Sequence, residues 1–180
     1  MKTRTTWLAA LSAWSLAAAA LSLQSSEAPA RVATRDDEFV QRVAADVMAE
    51  VALGRLAAQR ATRPEVKEFA RTLADEQARA YEDLKALAAQ KKFTLPSEPR
   101  SEQKAQIAQL EALTGAAFDE AYLAATTASR AGALALFDQL ADAWGDPDVK
   151  TWAARLLPTL KQRLARAREL AAPATLVLER

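Results

Sequence analysis

The chain has 180 residues, a length that fits one domain together with a targeting segment. It contains no Cys and no His, which excludes disulfides, cysteine–zinc and iron–sulfur sites, thiol nucleophiles, Ser-His triads and histidine-ligated haem. The formal net charge is +1, and beyond residue 30 there are 22 basic and 22 acidic side chains, so we expect no broad field for nucleic acid.

The composition favours an all-α domain. Hydrophobic residues make up 51% of the chain, and Ala, Leu, Glu, Gln and Arg, which are strong helix formers, dominate it. Strand-like runs of Val, Ile and Thr are absent from the sequence. We therefore predict helices packed on helices.

Residues 1–30 have the pattern of a secretory signal peptide. Lys2 and Arg4 precede an uncharged stretch over residues 5–26, and Ala28-Pro29-Ala30 is a small-residue cleavage site. No Cys follows, so a lipoprotein signal is not expected. An uncleaved anchor is the alternative, because the apolar run approaches membrane-spanning length. Export predicts a periplasmic or outer-membrane-associated protein.

The first two predicted helices carry charges on their inward faces. We expect one helix over about 36–59, capped at Thr34, and a second from Pro64 to near Lys91, capped at Thr62. Their apolar residues follow the three-and-four spacing of one helix face. The inward positions are Phe39, Val43, Val47, Glu50, Gly54 and Ala57 in the first helix, and Val66, Phe69, Leu73, Glu76, Gln77, Ala80, Leu84 and Leu87 in the second.

The second half of the chain predicts a crossing segment and two more long helices. Residues 93–100 contain two prolines and lead to a short helix capped at Ser101. A long helix then runs over about 114–144, and Asp146-Pro147 opens the last one. We predict an antiparallel four-helix bundle over residues 31–172 with the short helix in its crossing, and a flexible tail over 173–180.

Three segments carry a family resemblance. MAEVALGRLAAQRA, VKEFA and LPTL, within a stretch from about residue 36 to 171, resemble the bacterial domain of unknown function 4142 family. The resemblance implies an exported protein of ferritin-like four-helix architecture, often labelled an outer membrane protein. The family has no well-established activity, so the resemblance supplies a fold and a compartment more than a function.

The resemblance also implies where this chain departs from its relatives. They usually carry histidines at the positions that Glu76, Arg130 and Arg163 occupy here. With Glu50, these residues predict a core polar cluster of two acids and two guanidinium groups. The alternative is that some of these long side chains extend to water at the bundle edge.

A metal site is the other alternative for the same acids. Ferritin-like di-metal sites use Glu residues from two helices and two Glu-x-x-His pairs. Glu50 and Glu76 could bridge a metal, with Asp46 and Asp75 near them in sequence, but no Glu-x-x-His exists in the chain. We therefore expect no metal and no cofactor, and a binding or structural module in place of an enzyme.

The sequence does not name a partner. Lys161, Arg163, Arg166 and Arg168 make the end of the last helix basic, which suits either a phosphate or membrane contact or the helix dipole alone. Trp144 suits either a core position or a partner anchor. A homo-oligomer is a further alternative.

Overall fold

The fold is known from a computed structural model, which describes residues 27–142 and 145–172 and the side chains of 35–139 and 145–172. Over these ranges the chain forms five helices and no strand, which confirms the predicted all-α class. The helices are α1 (Glu27–Arg60), α2 (Pro64–Lys91), α3 (Ser101–Glu111), α4 (Gly115–Asp142) and α5 (Pro147–Ala171). The predicted signal peptide up to residue 26, the tail over 173–180 and Trp144 lie outside the described residues.

The four long helices form two hairpins. The turn between α1 and α2 is three residues long, and these two helices pack against each other along their length. Helices α4 and α5 also pack against each other. The two hairpins meet through contacts of α1 with α4 and of α2 with α5. The short helix α3 lies against α1 and α4, within the crossing from one hairpin to the other. The ferritin-like form of this arrangement stays a prediction.

The buried apolar side chains form two separate clusters, one towards each end of the long helices. Aromatic rings contribute to both: Phe137 lies 5.5 Å from Phe39 and 6.0 Å from Trp152 in the first, and Phe118 stacks on Tyr122 at 6.4 Å in the second. Each long helix passes from one cluster to the other, so its middle lies between them. Those middles contain the four predicted cluster residues.

Gly54 allows α1 and α2 to approach closely. A Cβ atom at this position would lie 2.9 Å from the Cβ of Ala74 and 3.0 Å from the carbonyl oxygen of Ala70. Atoms this close cannot be accommodated by rotating a flexible side chain, because the contacts are backbone and a methyl group. The glycine therefore has a packing role. From the sequence alone, a close approach of two helices and a tolerated surface glycine were both possible.

The first helix begins nine residues earlier than predicted, and the predicted cap at Thr34 is wrong. α1 begins at Glu27 and continues through residues 34–37. Pro29 lies in its first turn, where a missing N–H leaves no helical hydrogen bond unmade. Asp36 is buried within the helix and accepts a hydrogen bond from the backbone N–H of Asp146 at 2.8 Å. The predicted boundary between residues 30 and 31 falls inside α1.

Two further predicted caps are also wrong. Arg63 and not Thr62 is the N-cap of α2, because the Thr62 hydroxyl donates a hydrogen bond to Asp119 at 2.8 Å across the bundle. Arg100 and not Ser101 is the N-cap of α3, and its backbone N–H donates to Gln103 at 2.9 Å. The acceptor at the α2 turn is distant in sequence, on α4, whereas the acceptor at the α3 turn is Gln103 in the first turn of α3 itself.

Candidate polar centre

The polar centre consists of Glu50, Glu76, Arg130 and Arg163. Glu50 lies at the middle of α1 and is its most contacted acid. Its side chain is 9% exposed, and its carboxylate lies 2.8 Å from the Nη2 atom of Arg130 on α4. The Ser129 hydroxyl donates to one oxygen at 2.6 Å, and the Gln77 amide of α2 donates to the other. Since a buried carboxylate without partners is very costly, these three groups explain why a charge is tolerated here.

Arg130 is nearly as buried as its partner, with 5% of its side chain exposed. Its Nη2 atom is close to Glu50 but does not meet the geometry of an aligned hydrogen bond. The Nε and Nη2 atoms of Arg130 have no hydrogen-bond partner within the described part of the protein. The contact is therefore a charge pair that leaves N–H groups unused.

Glu76 and Arg163 form the second pair, from α2 to α5. The Arg163 Nε atom donates to Oε2 of Glu76 at 2.7 Å, and its Nη2 atom donates to Oε1, which makes the contact bidentate. The side chain of Arg163 is 22% exposed and that of Glu76 is 30% exposed, so this pair is the outer one. Its parallel hydrogen bonds fix the relative orientation of the two side chains.

The four residues that the sequence grouped together thus come together as two pairs, and each pair crosses from one hairpin to the other. Glu50 and Arg130 join α1 to α4, and Glu76 and Arg163 join α2 to α5. Gln77 adds a link from α2 to α1. All four long helices are therefore connected through polar contacts at the same level of the bundle.

A cavity of about 60 Å³ lies beside the two pairs. The charged pairs and Gln77 line one part of it. Most of the remaining wall is apolar, with Thr159 and Asp46 as further polar members. The apolar lining comes from all four long helices: Val43, Val47, Leu73, Ala80, Ala133, Leu136, Phe137, Trp152, Leu156 and Leu160.

The other acids considered for a metal site are placed unfavourably. Asp46 accepts hydrogen bonds from Arg100 at 2.7 Å and from Gln103 at 2.6 Å, so it holds the crossing segment against α1. Asp75 is exposed. Over the residues whose side chains are described, no three His, Cys, Asp or Glu residues come together in a way that could hold a metal ion.

The acids of the centre also fit poorly with a cation. Both oxygens of Glu50 and both oxygens of Glu76 face N–H or hydroxyl donors. A cation between them would meet the positive charges of Arg130 and Arg163 at close range. The arrangement therefore fits charge neutralisation better than metal coordination.

Tyr122 is the remaining titratable side chain near the centre. Burial raises the pKa of its phenol to about 12, against a smaller opposing effect of a Thr126 contact and of Arg130. The phenol therefore stays protonated at neutral pH and does not supply a base or a nucleophile.

The basic end of α5 is exposed. Lys161, Arg166 and Arg168 face solvent, and Arg166 pairs with Glu169 at 2.7 Å. Arg163 differs from these neighbours because its guanidinium turns inward to Glu76. The basic run predicted from the sequence therefore divides into one residue of the polar centre and three surface residues.

Sequence reasoning missed Ser129 and Asp119. Asp119 is 1% exposed and binds the α1–α2 turn, with hydrogen bonds of 2.9 Å from the N–H groups of both Thr62 and Arg63. Positions 119, 122, 126 and 130 share the inward spacing of α4, so a charge on that stripe was the available signal. Ser129 gave no such signal, because a small hydroxyl residue is common on any helix face.

No helix over the described ranges is both long and apolar enough to cross a membrane. A search of curated proteins gives no match for this chain. Solved structures share its fold, and two DUF305 proteins are among them. A DUF305 fragment from Deinococcus radiodurans has a TM-score of 0.67 at 18% identity, covering 76% of this chain and 95% of its own.

The second structure is described as "putative secreted protein DUF305 from Streptomyces coelicolor". It has a TM-score of 0.65 at 16% identity, and the match covers 75% of this chain and 89% of that one. At these identities the likeness concerns the fold alone. The family model described as "Domain of unknown function (DUF4142)" matches residues 21–170, so this chain belongs to the DUF4142 family, as the three sequence segments predicted.

Proposed function

We propose that the protein is an exported envelope protein whose helical bundle acts as a non-catalytic binding or structural module. The observation that carries this proposal is the contact of Arg130 with Glu50, at 2.8 Å and almost fully buried. Together with the Glu76–Arg163 pair, it places guanidinium groups against the acids that a ferritin-like centre would offer to a metal. Such pairs fix how helices align more than they add stability.

Export rests on two supports. The sequence of residues 1–30 has the charge, apolar run and cleavage site of a signal peptide. One structural neighbour, at 16% identity, is described as a "putative secreted protein". Fractionation of cells that express the full chain tests this directly: we expect it in the periplasmic or outer-membrane fraction, and a chain lacking residues 1–30 in the cytosol. A full chain found in the cytosol would contradict export.

Metal titration tests the chemical part of the proposal. We expect no stoichiometric heat when Mn²⁺ or Fe²⁺ is added to the purified protein in a calorimeter, because the acids already face positive charges. Arg130→Met with Arg163→Met is the matched variant, since it leaves Glu50 and Glu76 without guanidinium partners. Stoichiometric, dialysis-resistant metal in the unmodified protein would overturn the proposal in favour of a metal protein that uses Glu50 and Glu76.

A further inference from the structure

The central cavity is lined by donors that have no acceptor. Arg130 and Trp152 both belong to its wall, and both side chains are at least nine-tenths buried. The Nε and Nη2 atoms of Arg130 and the indole Nε1 atom of Trp152 have no hydrogen-bond partner within the described part of the protein. The Nη2 atom nevertheless lies 2.8 Å from the Glu50 carboxylate. Buried N–H groups are almost always paired, so the Arg130 Nε–H and the Trp152 indole N–H, on two residues of one cavity wall, need an explanation.

The acceptors around the same cavity are already occupied. The Glu50 oxygens accept hydrogen bonds from Gln77 and Ser129 and face the charge of Arg130, and the Glu76 oxygens accept from Arg163. Apart from the hydroxyl of the exposed Thr159, the unpartnered polar groups of the wall are therefore donors. A complementary molecule would bring an acceptor oxygen and need not bring a donor.

Charge limits the ligand further. Arg130 is neutralised by Glu50 and Arg163 by Glu76. The third acid on the wall, Asp46, is paired with Arg100 at 2.7 Å. A charged molecule would therefore enter an apolar space without a free counter-charge, at a large desolvation cost. An uncharged molecule avoids that cost.

The size and the lining of the cavity set the remaining properties of the ligand. The cavity volume is about 60 Å³. One water needs roughly 10–15 Å³ of such cavity volume, so the space takes about four to six waters or a molecule of similar size. Most of the wall is apolar, including the rings of Phe137 and Trp152. A molecule with one polar end and a short apolar body matches both parts of the wall.

We propose that this cavity binds a small uncharged molecule that carries an acceptor oxygen, such as a ketone or ether, on an apolar body. The acceptor takes a hydrogen bond from an unpartnered donor of the wall, the Trp152 indole N–H or the Arg130 Nε–H, and the apolar part lies among the aliphatic and aromatic side chains of the four helices. The proposal rests on the proposed role of the bundle as a binding module and names the ligand class.

The probe is 2-butanone, and the readout is the Trp152 indole N–H signal in ¹⁵N–¹H spectra of the purified full chain. That signal is assigned as the one missing from Trp152→Phe. We expect a saturable shift with a dissociation constant in the millimolar range, typical of very small ligands. Butyrate tests the exclusion of charge and chloroform tests the need for an acceptor oxygen. Chloroform should bind about tenfold more weakly, as expected for an unmade hydrogen bond, and butyrate should bind more weakly still because its charge would be buried without a counter-charge.

Two variants serve as matched tests. Trp152→Phe keeps an aromatic wall and removes one donor, so backbone signals should report weaker binding of 2-butanone, closer to that of chloroform. Ala133→Leu fills the cavity and should abolish saturable binding while the protein stays helical. Should that variant unfold, Ala80→Leu fills the same space from α2.

Three results would overturn the proposal: no saturable shift with 2-butanone, which would mean that water alone occupies the donors; equal binding by the cavity-filling variant; or butyrate or chloroform binding as tightly as the ketone. These outcomes differ from failure of the proposed function, which is measured by metal titration and cell fractionation. A bundle without this ligand remains a structural module, whereas a bundle that takes up metal does not.

Discussion

The carboxylate of Asp119 binds the turn residue Thr62 twice, accepting its backbone N–H at 2.9 Å and its hydroxyl at 2.8 Å. Asp119 also accepts the backbone N–H of Arg63 at 2.9 Å. It therefore caps α2 from a different hairpin, which ties α4 to the α1–α2 turn. Asp119→Asn keeps one acceptor and places an amide donor against backbone N–H groups. We expect a loss of about 2 to 3 kcal/mol in unfolding free energy at pH 7, measured by urea denaturation.

The same acid predicts a pH dependence. Burial alone would raise the pKa of Asp119, but the hydrogen bonds from Arg63 and Thr62 outweigh it and hold the pKa below its usual value of 3.8. Its ionised form therefore stabilises the fold above that usual value, and this contribution is lost as the pH falls through the lower folded-state pKa. The difference between wild type and Asp119→Asn should be constant above about pH 5 and narrow below about pH 3.5. A difference that grows on acidification contradicts this.

The pKa of Asp36 is shifted in the opposite direction from that of Asp119, although both side chains are almost fully buried. Burial and the nearby charge of Asp146 raise the pKa of Asp36, with partial offset from the Asp146 N–H and two lysines. An acid with a raised folded-state pKa binds its proton more tightly when folded, so its ionisation above that pKa costs stability. Asp36→Asn keeps an acceptor for the Asp146 N–H and removes that cost.

We therefore expect Asp36→Asn to leave the unfolding free energy at pH 7 unchanged or to raise it by up to about 1 kcal/mol. Asp36→Leu is the control, because it leaves the Asp146 N–H without its acceptor and should cost about 1 to 3 kcal/mol. Equal losses in both variants would show that the charge itself stabilises the fold.

Gly54 and Gly132 are both helical glycines, but only one lies in a tight contact. A Cβ at Gly54 would meet Ala74 at 2.9 Å, whereas nothing lies within 4 Å of a Cβ at Gly132. We expect Gly54→Ala to lower the unfolding free energy by about 1 to 3 kcal/mol through overpacking. Gly132→Ala should raise it by up to about 1 kcal/mol through helix propensity. Thermal denaturation of both variants measures the contrast, and stabilisation by Gly54→Ala would contradict the close packing of α1 and α2.

The outer ion pair should be weaker than its bidentate geometry suggests. Glu76 and Arg163 are both partly exposed, so solvent screens their attraction. A double-mutant cycle with Glu76→Gln and Arg163→Met should give a coupling of about 0.2 to 1 kcal/mol, and it should fall in high salt. The more exposed pair of Arg71 and Glu68 is the reference. A coupling indistinguishable from zero would remove Glu76 and Arg163 from the proposed polar centre.

The helices and their connections were largely predictable because they depend on local chemistry. The spacing of apolar residues on α2 and its proline at the start predicted a helix from Pro64 to near Lys91, and the structure has it at Pro64–Lys91. Asp146 was predicted as the cap of α5, and its side chain accepts the Asp148 N–H at 2.8 Å. Local signals failed at Thr62, because its hydroxyl donates to Asp119 on α4 and does not cap α2.

The polar centre was predictable only in part. Glu50 and Glu76 stood out because charges at core-facing positions are rare. Arg130 and Arg163 were grouped with them through the family resemblance, but which acid each would contact depends on how the two hairpins pack. That is a tertiary property with no local signature. The cavity beside them depends on the volumes of side chains from four helices, which no single segment of the sequence encodes.

The central claim is that guanidinium groups neutralise the buried acids of the bundle. The most direct measurement is a double-mutant cycle on Glu50 and Arg130, using Glu50→Gln, Arg130→Met and their combination in urea denaturation. Arg130→Met should cost about 3 to 5 kcal/mol because it leaves Glu50 buried without its counter-charge, and adding Glu50→Gln should recover part of that loss. Additive effects of the two substitutions, with no recovery in the double variant, would contradict the claim.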